Sequence, residues 1–129
     1  MAVRRFEARI RHQPQLSIID LDGEINAQAE EALNAAYTEA TKGQPDAVLL
    51  NFKDVSYINS TGIALVVGLL AQSRKSGRKL LTCGLSEHYR KIFEITRLSD
   101  FMGIYNDERD AVSSFVTLTS QQRPSGGAQ

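Results

Sequence analysis

Tryptophan is missing from the 129 residues, and there is only one cysteine. That lone thiol, Cys83, can close no internal disulfide and cannot supply a cysteine-rich zinc site. A surplus of either charge is missing too: 15 Lys+Arg face 15 Asp+Glu, a formal net charge of zero. With no basic excess, neither nucleic acid nor an anionic membrane surface is expected as the main partner. Long apolar runs are also lacking. The longest, Ile63–Ala71 with Gly68 inside it, falls well short of the ~20 apolar residues needed to cross a bilayer. The opening Met-Ala-Val-Arg-Arg-Phe-Glu carries no apolar stretch of signal-peptide type, which predicts an intracellular, cytoplasmic chain.

Enzyme signatures are absent as well. The sequence holds no G-x-G-x-x-G after a strand, no G-x-x-x-x-G-K-[ST], no H-E-x-x-H and no G-x-S-x-G. His12 and His88 fall on different elements with no carboxylate or cysteine companion, and read as surface imidazoles. Cys83 reads as a small buried hydrophobe rather than a nucleophile. No catalysis, metal or cofactor is therefore expected.

What is present suits one folded domain. Hydrophobic residues make up 42% and charged residues 23%, ordinary values for a chain of this length with a real core. Phe6–Arg11 and Leu16–Leu21 read as a short antiparallel strand pair around Gln13-Pro14-Gln15, the second ending at an Asp22-Gly23 turn. Asn26 stands at a helix N-cap position before Ala27–Lys42, where Ala29, Leu33, Ala36, Tyr37 and Ala40 recur at helical spacing. Asp46–Phe52 is a continuous apolar run, as expected of a strand buried on both faces.

A helix is expected over Ile63–Lys75, a second buried strand over Lys79–Cys83, and a helix capped by Ser86 with Tyr89, Ile92, Phe93 and Thr96 inward. A short strand at Met102–Tyr105 follows. Asp107 then caps a last helix whose Ala111, Val112, Phe115 and Val116 face the core. The alternation predicts an α/β domain over residues 1–118, with a mixed, mainly parallel sheet of roughly four to five strands and about four helices. Thr119–Gln129, with Pro124-Ser125-Gly126-Gly127, is expected to be a flexible tail.

The charged clusters have simple readings. Asp107, Glu108 and Asp110 complement the positive end of a helix dipole, and Arg74, Lys75, Arg78 and Lys79 read as a solvated cap at the negative end of another, with an anion site as the alternative. The segment Ser56–Gly68 is different. A serine and a threonine sit at a strand-to-helix transition, where a hydroxyl can cap orphan N–H groups or accept a phosphoryl group. The helix behind them is apolar around nearly its whole circumference. Its outer side, expected at Leu65 and Leu69, must be covered by neighbouring helices or by a partner protein.

The run V-L-L-N-F-K-D-V-S-Y-I-N-S-T-G-I resembles the signature of STAS domains, above all the anti-sigma factor antagonists of bacterial partner-switching systems. The likeness extends through Gly23-Glu24-Ile25, Arg78–Gly84, Ile92–Leu98 and Asp107–Ala111, in order, over about Val3–Leu118. The resemblance implies that Ser60 is the serine phosphorylated by a GHKL-type kinase that doubles as an anti-sigma factor, with Thr61 an alternate acceptor. It implies a partner-binding surface of Asn26, Asn59, Ser60, Thr61, Gly62 and Ile63, and a PP2C-type phosphatase that resets the switch. The implied role is stress-responsive regulation of transcription through a sigma factor, with no catalysis by the domain itself.

Asn59, Asn26 and Asn51 depart from that pattern by standing where acids are common, which keeps hydrogen bonding but removes charge. A second reading keeps the fold and drops phosphorylation, making the chain a scaffold or subunit of a stressosome or lipid-transport assembly. A nucleotide-binding module has little support, for want of a phosphate-cradling glycine loop. Weak self-association into a homodimer is compatible with the apolar helix.

Overall fold

The computed structural model describes residues 5–122. Strands β1 (Glu7–Gln13) and β2 (Leu16–Ile25) pair antiparallel across the Pro14-Gln15 turn. A single 3-10 turn, Ala27–Ala29, leads into helix α1 (Glu30–Ala40) and then strand β3 (Ala47–Ile58). Helix α2 (Ser60–Lys75), strand β4 (Lys79–Cys83) and helix α3 (Glu87–Ile95) follow. A second 3-10 turn (Leu98–Asp100), strand β5 (Gly103–Tyr105) and helix α4 (Glu108–Gln122) complete the described chain.

The sheet order is β1-β2-β3-β4-β5, and every pair after the first is parallel. This is the expected mixed, mainly parallel α/β architecture, with five strands and four helices among the described residues. Strand order rises steadily from β2 to β5. Right-handed crossovers therefore carry α1, α2 and α3 over the same face of the sheet. Helix α4 follows the last strand, makes no crossover, and packs on the opposite face.

Two cores result. One joins α1, α2 and α3 to Ile19, Leu21, Val48, Leu50, Phe52 and Leu80; the other joins Ala111 and Phe115 of α4 to Leu16, Ile18, Leu49, Leu81 and Cys83. Residues Ala47–Phe52 of β3 are all buried, which explains their unbroken apolar run.

Several local expectations need correction. Asp22-Gly23 makes no turn. β2 continues to Ile25, and the register against β3 slips between Asp20 and Asp22 and again between Gly23 and Glu24. Gly23 has φ 99°, so the residue that signals a turn here sits at a register slip inside a strand that keeps its partner, the extra residues of the slip belonging to β3. β3 also runs on through Lys53–Ile58, six residues past the Asp46–Phe52 run expected to be the strand.

α2 starts at Ser60, not at Ile63, and its Leu69 points into the core while Leu65 is half-buried. Thr96 is the exposed C-cap of α3, its hydroxyl donating to the Ile92 carbonyl at 2.7 Å, and Val116 of α4 is exposed. α4 continues through residues 119–122, into the stretch assigned to a tail, and residues 123–129 lie outside the described residues.

Candidate functional site

β2 and β3 end side by side, with Ile25 opposite Ile58, and this register places Asn26 beside Asn59 and the start of α2. The Asn59 N–H donates to the Ile25 carbonyl at 3.2 Å, which ties the two strand ends together. From the third side, the Ile58 N–H donates to the Tyr89 hydroxyl of α3 at 2.9 Å. The segment before α2 is thus held by the backbone of β2 and a side chain of α3. Asn26 caps the 3-10 turn, accepting from Gln28 N–H at 2.9 Å.

Asn59 is the N-cap of α2: its Oδ1 accepts from the Gly62 N–H at 2.8 Å, and its carbonyl accepts the Ile63 N–H at 2.9 Å. A capping residue supplies about 1 kcal/mol of helix stability. With that task done by Asn59, the Ser60 hydroxyl is not needed for it. Ser60 and Thr61 are exposed, and neither side chain has a hydrogen-bond partner among the described residues. Their backbone N–H groups are the first and second of the helix and have no intrahelical acceptor. No acidic residue occupies the first turn.

Gly62 and Ile63 face inward from the same turn. Gly62 is buried so closely that a Cβ there would lie 2.1 Å from the Ile25 carbonyl oxygen and 2.8 Å from Ile58 Cγ2. It fixes the approach of α2 to β2 and offers no contact area. Ile63 is half-buried against the core.

The exposed apolar side chains on either side of Ser60 in the chain are Tyr57, 50% exposed at the end of β3, and Val67, 42% exposed two turns along α2. Between them α2 presents Ala64, also exposed. Periodicity could not single out Val67, because it stands in an apolar run beside core Val66, Leu69 and Leu70. Tyr89 was legible as an inward residue, but its hydrogen bond to β3 was not.

The remaining candidates lie apart from this cluster. Asn51 is buried on the α4 face, its Nδ2 donating to Asp20 Oδ1 at 2.9 Å. Asp20 also accepts from Arg11 Nε at 2.6 Å, and the guanidinium holds its carboxyl below the usual range. Arg11 reaches on to Glu108 at 2.7 Å, joining β1 to the first turn of α4. Cys83 is fully buried, and burial pushes its thiol up to about 11, so it is a poor nucleophile at neutral pH. His12 is exposed with Nδ1 3.2 Å from Ser17 Oγ, and His88 is exposed with its ring edge-on to Tyr89. Among the described residues no helix is long and apolar enough to cross a membrane.

Comparison with known proteins bears on the same region. The profile of the STAS domain family matches residues 7–111. The chain is 29% identical over 86 residues to the anti-sigma-B factor antagonist of Staphylococcus aureus, covering 67% of this chain and 80% of that one. It is 33% identical over 86 residues to the anti-sigma-B factor antagonist of Listeria monocytogenes, covering 67% and 75%. In three dimensions it is similar to the Bacillus cell fate determinant SpoIIAA in its phosphorylated form. That match has a TM-score of 0.66 and 23% identity, with 86% of this chain and 99% of that one covered.

Proposed function

This chain belongs to the STAS domain family, and from that premise we propose that it is an anti-sigma factor antagonist, switched by phosphorylation of Ser60. The curated relatives carry that functional name, and a fold relative has been solved with phosphate attached. The observation that carries the reading is local. Ser60 is exposed at the head of α2 and relieved of capping by Asn59, with exposed Ala64 and Val67 following it one and two turns along the helix.

In the unmodified state this surface is neutral and partly apolar, fit to be covered by a partner. The partner is an anti-sigma factor of the GHKL kinase type, and a PP2C-type phosphatase reverses the modification. Phosphorylation adds about −1.5 to −2 charges. On the free domain, the positive end of α2 and its open N–H groups stabilise that charge. Inside the complex the dianion must shed water beside exposed Ala64, one turn along α2. That costs several kcal/mol, against about 8–10 kcal/mol for an interface of micromolar affinity or somewhat better. The complex opens with no large change in fold.

Incubation with a GHKL-type kinase and ATP, followed by mass spectrometry, tests the first half; phosphate on neither Ser60 nor Thr61 refutes it. The second half rests on binding. Ser60→Ala is expected to retain the partner, and Ser60→Asp to lose at least about tenfold in affinity, ~1.4 kcal/mol. Equal binding by the two variants would exclude the charge switch.

A further inference from the structure

Arg74, Lys75, Arg78 and Lys79 gather where α2 ends and β4 begins. None of the four forms an ion pair among the described residues, although Arg11, Lys42, Arg90 and Arg97 all do. The helix dipole accounts for Arg74 and Lys75. Arg78 has a structural task, its Nε donating to the Pro45 carbonyl at 2.9 Å. Neither reason covers Lys79, or the nearby Phe101, which is 52% exposed with the Arg74 guanidinium stacked 4.9 Å from its ring centre.

All of these groups but Lys75 line a cleft of about 370 Å³. It opens because β5 pairs with β4 only from Leu81 onward, leaving the first residues of β4 without a neighbouring strand on that side. Arg74, Arg78 and Lys79 line the cleft together with Phe101, Met102 and Tyr105. Its one carboxylate, Asp100, is already held by Arg97 at 2.7 Å. A net positive, aromatic-rimmed cleft results, at the far end of α2 from Ser60.

We propose that this cleft is a second docking site, which takes an acidic segment of a partner protein. Carboxylates would meet Arg74 and Lys79, and a large apolar side chain would enter beside Phe101. The shape favours a peptide over a lipid surface: the site is concave, and Arg74 covers a face of the one aromatic ring that could enter a bilayer.

The test uses the full chain and a fluorescently labelled Glu-Glu-Phe-Glu-Glu peptide, read by anisotropy. A Lys-Lys-Phe-Lys-Lys peptide serves as control, and phosphatidylserine vesicles test the membrane alternative. Saturable binding of the acidic peptide alone is expected. Arg74→Glu with Lys79→Glu should weaken it at least about tenfold, because paired charges are then opposed. Lys75→Glu adds the same sign of charge outside the cleft and should change it by less than about threefold.

Both cleft side chains are exposed, so the double variant should keep its circular dichroism spectrum. If it does not fold, Phe101→Ala replaces it, with the same loss expected. Failure of the acidic peptide to saturate, equal loss with Lys75→Glu, or binding to vesicles alone would each overturn the proposal.

Discussion

Asn51 stands where the resemblance leads one to expect an acid, and its neighbours explain the amide. Its Nδ2 donates to Asp20, while its Oδ1 accepts from the Lys53 N–H at 3.1 Å and from the Cys83 thiol at 3.6 Å. A carboxylate cannot donate, and would set a second negative charge against Asp20 in a buried position. Cys83 beside it titrates in a predictable sense. Its thiol is raised from an ordinary 9.0 to about 11 because burial disfavours the thiolate. Between those values the unfolded chain releases the proton and the folded chain keeps it, so stability falls as pH rises through the window. Denaturant midpoints at about pH 8 and about pH 10 should therefore fall further for the native chain than for Cys83→Ala. Identical falls would show that the thiol contributes nothing. Gly62 is set by sterics, not charge. Gly62→Ala drives a Cβ into the Ile25 carbonyl, and should cost about 1–3 kcal/mol in urea unfolding. An unchanged midpoint would mean that α2 can shift away from β2 at no expense.

Helix α2 joins these local facts into one device. Its first turn is capped by an uncharged Asn59 and contains no acid, so the positive end of its dipole is left unneutralised by side chains of that turn. Asn59→Ala should lower the unfolding free energy by about 1 kcal/mol. Asn59→Asp keeps the cap and adds a charge that the dipole favours by about 0.3–1 kcal/mol. Thermal midpoints should thus rank Asp at or above Asn, and Asn above Ala. An alanine variant as stable as the native chain would remove the basis for regarding Ser60 as free of capping duty. Elements of this kind were largely readable from the chain. β4 spans the expected Lys79–Cys83, and Ser86 and Asp107 cap α3 and α4 as their position suggests. The misreadings share a cause. Gly23 has a positive φ inside a paired strand, as it would in a turn, and only pairing with β3 distinguishes the two. Local propensity places the start of α2 too late because Ser60 and Thr61 are weak helix formers, and the Asn59 cap that admits them is itself tied to the Ile25 carbonyl.

Topology was legible because few arrangements satisfy alternating strands and helices with right-handed crossovers. The candidate site was legible only in part. The motif located Asn59, Ser60 and Thr61, but Tyr57, Val67 and Tyr89 acquire their places from register and helix packing, which no local pattern encodes. The charges show a further property of the fold. Equal numbers of acids and bases hide a separation: Asp107, Glu108 and Asp110 start α4 beside the end of β5, while Arg74, Lys75, Arg78 and Lys79 lie at the opposite end of the parallel strands. The Ser60 surface and the basic cleft are then the two ends of one helix of 16 residues, about 24 Å apart at ~1.5 Å per residue. That exceeds two Debye lengths at physiological salt, ~8 Å each, and the helix between them is anchored in the core by Val66, Leu69 and Leu70. Charge placed at one end should not be felt at the other. Ser60→Asp should therefore leave binding of the acidic peptide within about 0.5 kcal/mol of the native value, and Lys79→Glu should leave the Ser60-dependent partner equally unaffected. A double-mutant cycle with a larger coupling would mean that α2 moves as a lever between its ends, and that the two surfaces cannot be occupied independently.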